Sequence, residues 1–128
     1  MADVTFSITN TTKTKLPNLD FSAMKEAILG KKYELSVIII SKSKIQKLNK
    51  EYRDIDKPTD ILSFPLSDNF GEIYINPDMT KLEAKKFDRK YENFFGFLFI
   101  HGLTHLKGYH HGSTMESIEA RFRKKFGI

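Results

Sequence analysis

Hydrophobic positions change period several times along the chain, and each change marks an element. Val4, Phe6 and Ile8 alternate with polar neighbours, the period of a strand with one buried face. After Pro17 the spacing lengthens. Phe21, Met24, Ala27 and Ile28 recur as on a helix and Gly30 stands where a C-terminal cap would end it, which predicts a first helix over 19–29. Leu35 and the unbroken β-branched run 37–40 predict a strand covered on both faces and central in its sheet. Ser43 with Gln46 has the form of a capping box, and Ile45, Leu48 and Tyr52 trace one apolar stripe, so a short second helix is expected to end near Arg53.

Residues 54–60 read as a polar turn, because Pro58 does not continue a helix. Residues 61–64 predict a strand closed by Pro65, and Ile73 with Ile75 an antiparallel partner beyond a loop at Asp68, Asn69 and Gly71. Asn76-Pro77 matches an N-cap followed by proline at the first helical position, opening a helix through the low 80s. In the stretch from about 90 to 107, the residues Phe94, Phe95, Phe97, Leu98, Phe99 and Ile100 are too thick a run for one helix face, which predicts a helix buried nearly all round. Ser113 with Glu116 suggests another capping box, and Met115, Ile118, Phe122 and Phe126 repeat at helical spacing, as packing residues, down a last helix. The order predicts an α+β fold in one domain over 1–128: a four-stranded mixed sheet packed with about five helices, with the candidate metal site on the buried central helix.

Composition narrows the chemistry. A hydrophobic content of 40% with 29% charged residues is that of an ordinary soluble globule, and the absence of a signal-like or membrane-spanning run leads to a cytoplasmic location without membrane contact. No cysteine is present, so disulfides and thiolate ligands are excluded and a metal would be held by imidazole or carboxylate. The formal net charge of +5 matters less than its placement. Lys42, Lys44, Lys47, Lys50 and Arg53 crowd one segment, Lys85, Lys86, Arg89 and Lys90 a second, and Arg121, Arg123, Lys124 and Lys125 a third. Such runs are commonly solvated helix faces. The acids that would balance the tail cluster are lacking, and this favours an anionic partner such as nucleic acid.

All four histidines fall within residues 101–111. On a continuing helix His101 and His105 leave one face a turn apart, Gly108 stops the helix, and His111 can come round to meet them. Three neutral imidazoles suit zinc or another transition metal, one per chain, and leave a fourth position open for water. The spacing His-x3-His-x2-Gly-x2-His is that of the long zinc-protease motif, except that Gly102 replaces the glutamate that serves there as base. Zinc in such a site brings the pKa of its water to about 7, so hydrolysis survives the loss while peptidase chemistry is disfavoured. A phosphodiester substrate further requires a cation on its non-bridging oxygens. Arg53 is the candidate, because guanidinium grips phosphate as a bidentate fork, and Lys50 in the same cluster is a second candidate for substrate binding. The bland alternatives are core histidines and an Arg53 paired with Asp54 or Asp56.

The stretch His101-Gly-Leu-Thr-His105-Leu-Lys-Gly108-Tyr-His110-His111 resembles the signature His-Gly-x-x-His-Leu-x-Gly-Tyr-Asp-His of the YbeY family of bacterial rRNA maturation factors. Residues 48–53 and 56–65 resemble that family's Asn-x-x-Tyr/Phe-Arg and Pro-Thr-Asp-Val-Leu-Ser-Phe-Pro segment, and Gly71-Glu72-Ile73 a third, shorter element. The resemblance implies the same fold and a zinc-dependent, single-strand-specific endoribonuclease. Its work would be rRNA processing, chiefly at the 3′ end of small-subunit rRNA, and ribosome quality control, with Arg53 implicated in activity. Implied partners are ribosomal RNA, the small ribosomal subunit, a small-subunit ribosomal protein and the GTPase Era, met by a monomer. One departure is His110, where the family carries an acid; as a neutral imidazole it could act as a base beside the ligands or approach the metal as a fourth ligand. A reading from another class is a non-catalytic ribosome assembly factor with a structural metal.

Overall fold

The β-branched run at 37–40 organises the sheet. In a computed structural model that describes residues 5–109 and 112–128, this run closes strand β2 (Glu34–Ile39), which has strand β1 (Phe6–Asn10) on one side and β4 (Phe70–Ile75) on the other. Both pairings are parallel, with Val37 opposite Ile8 and Ile73. Strand β3 (Ile61–Ser67) pairs antiparallel with β4 through a two-residue turn at Asp68 and Asn69, giving the order β1-β2-β4-β3. The sheet is therefore mixed and four-stranded, as the alternation of periods predicts.

Both faces of β2 are covered. Leu35, Val37 and Ile39, with Ile73 and Ile75, meet helix α1 (Phe21–Leu29) and helix α4 (Tyr91–Lys107) through Phe21, Met24, Phe95, Phe99 and Leu103, all buried. Each such side chain contributes about 1.5–3 kcal/mol on leaving water. On the opposite face Ile38, Ile40, Leu62 and Tyr74 pack under Ile45 and Leu48 of helix α2 (Lys42–Arg53). Helix α3 (Pro77–Lys86) opens on Asn76, whose side chain accepts from the Met79 amide at 2.9 Å, with Pro77 in the first turn as read. Helix α5 (Ser113–Phe126) packs Met115, Phe122 and Phe126 inward, against α4 and the core. No described helix is long and apolar enough to cross a membrane.

Several local expectations are corrected. Ser41, not Ser43, caps α2, because its extended backbone lets its hydroxyl accept from the Lys44 amide; Gln46 turns instead to Asp56 at 3.1 Å. The buried stripe of α2 is Ile45 and Asn49, while Tyr52 is exposed. Asn49 donates to the Lys57 carbonyl at 2.9 Å and so fastens the 54–60 turn to the helix. Pro65 does not close β3. An edge strand tolerates a residue without an N–H, and the ladder continues to Ser67 across an irregularity in register. Gly71 lies in β4 rather than in the loop. The Ser113 capping box does not form, since Gly112 holds the N-cap position and no side chain bonds there. The reading of Val4 as part of β1 lies outside the described residues.

Candidate active site

The geometry of the site follows from how α4 is buried. Most of its circumference is sealed by the sheet and neighbouring helices, yet His101 and His105, one turn apart, both line an open groove of about 1010 Å³. Their rings meet edge to face with centroids 4.7 Å apart. Gly108, at φ 109°, ends the helix in a left-handed turn, and the Tyr109 amide bonds back to the Thr104 carbonyl. The groove is walled on its other sides by β3, by the preceding residues Thr59 and Asp60, and by the start of α5. His110 and His111 lie outside the described residues, and among the described residues no set of three metal-ligating side chains converges.

Pattern reading missed the most informative contact. Glu119 of α5 is buried, and its Oε1 lies 2.6 Å from His101 Nδ1. An ionised carboxylate only accepts, so His101 donates from Nδ1, which in the neutral imidazole leaves the lone pair on Nε2. The Thr104 hydroxyl lies 3.0 Å from the same carboxylate oxygen, and Arg123 Nη1 is 3.7 Å from the other. Burial pushes the Glu119 carboxyl up, but the bonds from His101 and Thr104, with the charges of His101 and Arg123, outweigh it and hold Glu119 below the ordinary carboxylate value. A signal was present: Glu119 is an acid set among the inward positions Met115, Ile118 and Phe122 of its helix.

Asp60 also faces the groove. Its carboxyl is pushed up, first by burial and then by the charge of Glu83, against partial relief from backbone amides and the Thr59 hydroxyl. The groove thus holds an acid that keeps its proton longer than an exposed aspartate would.

Arg53, the last residue of α2, is exposed and lines the same groove as the histidines. The acids expected to neutralise it are engaged elsewhere: Lys50 bridges to Asp54 at 2.8 Å and Gln46 bonds Asp56. Among the described residues no ion pair holds the Arg53 guanidinium. Lys50 lines a separate depression with Gln46 and Lys47, away from the histidine groove.

Gly102 explains why the peptidase reading fails. It packs against β3 rather than into the groove, and a Cβ there would stand 2.9 Å from Ser63 Oγ and 3.0 Å from Ile61 Cδ1. A glutamate at this position would be driven between helix and strand, away from any substrate. Gly102→Glu, which completes the protease motif in sequence, is expected to lower stability by about 3 kcal/mol or more, through overpacking and a buried carboxylate, without creating peptidase activity. Urea unfolding and a casein assay check both halves; a stable, proteolytic variant would overturn the packing argument.

Comparison with known proteins bears on family and fold. The family profile described as endoribonuclease YbeY matches residues 3–126. The chain is 41% identical to endoribonuclease YbeY of Aliarcobacter butzleri over 110 residues, covering 80% of this chain and 76% of that protein. Against endoribonuclease YbeY of Bacillus subtilis the identity is 33% over an alignment of 141 residues, covering 98% and 88% respectively. The solution structure of TM1509 from Thermotoga maritima superposes with a TM-score of 0.68 at 30% identity, over 94% of this chain and 88% of that one.

Proposed function

The chain belongs to the YbeY family of endoribonucleases, and from that membership we propose that it is a metal-dependent, single-strand-specific endoribonuclease of rRNA processing. The work assigned to it is maturation of the 3′ end of small-subunit rRNA and ribosome quality control, in the cytoplasm and as a monomer. Its partners are ribosomal RNA, the small subunit, a small-subunit ribosomal protein and the GTPase Era. The observation that carries the reading is the 2.6 Å contact of His101 Nδ1 with buried Glu119, beside His105 and in the same groove as Arg53. A histidine that ligates a metal characteristically spends its second nitrogen on such a carboxylate.

The residues fit zinc or a similar transition metal, held by His101, His105 and His111: imidazole donors at helical spacing, one of them anchored, and no thiolate in the chain. When bound there, the metal supplies Lewis-acid activation of water near neutral pH. Glu119 fixes the tautomer and orientation of His101. Arg53 presents a planar fork of donors to the non-bridging oxygens of a phosphodiester, where charge grows as the bond breaks. Asp60, whose carboxyl is pushed up by burial, lines the same groove, and His110, in place of the family acid, stands next in sequence to the third ligand, where it could act as a base if neutral.

Metal content and cleavage of single- and double-stranded RNA, measured on wild type and His101→Ala, test the reading. Expected are about one metal per chain and cutting of the single strand, both lost in the variant. A wild-type protein that holds metal and binds RNA yet leaves it whole would be the non-catalytic assembly factor instead. Glu119→Gln, which keeps the shape but loses the charge, is expected to weaken metal affinity about 10- to 100-fold in a chelator competition. Unchanged affinity would make the contact merely structural.

A further inference from the structure

Beyond the histidines, the groove continues along α4 onto a row of aromatic rings. Phe97 and Phe94 are near-parallel, with centroids 5.5 Å apart and planes 10° apart, and Phe87, just past α3, stacks on Phe94 at 5.6 Å and 15°. Phe94 is buried and needs no further account. Phe87 is 63% exposed, so the row ends in a phenyl ring largely open to water within the groove. Phe97, by contrast, lies under two guanidinium groups, with Arg89 4.8 Å and Arg123 4.9 Å from its centroid.

An open aromatic face beside cations selects its occupant. A flat apolar partner alone would leave the exposed Lys85 and Lys90, close to Phe87 in sequence, without a counterpart. A strand that alternates aromatic bases with anionic phosphates satisfies both, and base–aromatic stacking is indifferent to which base is offered. We propose that Phe87 is a stacking platform for an unpaired base of the bound RNA strand. The proposal rests on the endoribonuclease reading above and names the residue that would make the groove prefer unpaired RNA, because a base held within a duplex cannot lie on the ring. Phe94 precedes His101 by seven residues, about 10 Å along the helix, or roughly three stacked nucleotides at 3.4 Å each. The base on Phe87 therefore belongs to a nucleotide a few positions from the one at the histidines, and the platform sets the register of the strand.

The chain contains no tryptophan, so Phe87→Trp installs a single tryptophan, excited apart from the tyrosines, at the platform. Titration with a single-stranded oligouridylate is expected to quench its emission, whereas an abasic strand of equal length, or a duplex, is not. Phe87→Ala is expected to weaken oligouridylate binding roughly tenfold, and Phe87→Tyr to restore it. Melting temperature and metal content are measured for each variant, and Phe87→Trp keeps the stack on Phe94 if Phe87→Ala loosens it. Equal quenching by the abasic strand overturns the platform, since the contact would then be to phosphate. If wild type cuts the oligouridylate but Phe87→Ala binds it equally well and Phe87→Trp emission does not respond, the platform is wrong, the nuclease reading stands, and the ring serves a protein contact. If wild type neither binds nor cuts any single strand, the nuclease reading fails and takes the platform with it.

Discussion

His105→Ala is expected to release the metal and lower RNA cleavage by about 10³-fold or more. One imidazole on the face of α4 cannot replace two, and no other side chain on that face of the helix is a ligand. Metal that binds only the folded chain adds about 2.7 kcal/mol at a concentration one hundred times its Kd, so the variant should lose the zinc-dependent part of its stability and little else. Urea unfolding with and without zinc, beside elemental analysis, checks this; a variant with wild-type metal content would refute the site. His111→Ala is expected to behave in the same way. His110→Ala should keep the metal and alter only rate or pH profile, and the reverse result would move the third ligand by one residue.

Arg53→Ala is expected to lower cleavage about 10²–10³-fold while leaving metal content and melting unchanged. The structural reason is the absence of a dependent. Arg53 is exposed and in no described ion pair, and the acids near it are bonded to Lys50 and Gln46, so its removal orphans nothing. Arg53→Lys should recover only part of the rate, since an ammonium group cannot grip two phosphate oxygens in one plane. Cleavage by Arg53→Ala at the wild-type rate would remove the arginine from the chemistry.

How far these sites could be read from sequence depended on whether the cause was local. The helical spacing of His101 and His105 and the stop at Gly108 are properties of neighbouring residues, and they appear as read. The same holds for Asn76-Pro77 and for the β-branched run that became the central β2. Pro65 misled because a proline looks alike on an edge strand and at a strand end, and only the position of β3 in the sheet separates the two. Ser43 misled because the cap depends on where the chain leaves β2, and in the fold it is Ser41 that stands at the N-cap of α2. Glu119 could not be assigned to His101 by any periodicity, because their contact crosses from one helix to the next. Its oddity, an acid on the packed side of α5, could be seen; its partner could not.

That contact has a thermodynamic consequence. His101 is held by a carboxylate eighteen positions later in the chain, so this hold on the imidazole lasts while α5 lies against α4. With zinc bound as proposed, undocking of α5 and release of the metal would be two coupled equilibria, and linkage requires each to resist the other by the same free energy. Amide hydrogens of α5 should exchange more slowly as zinc is added, by the factor by which docking raises zinc affinity. Solvent conditions or partners that pull on the basic outer face of this helix would thereby act as a throttle on the histidines, without touching the groove at all.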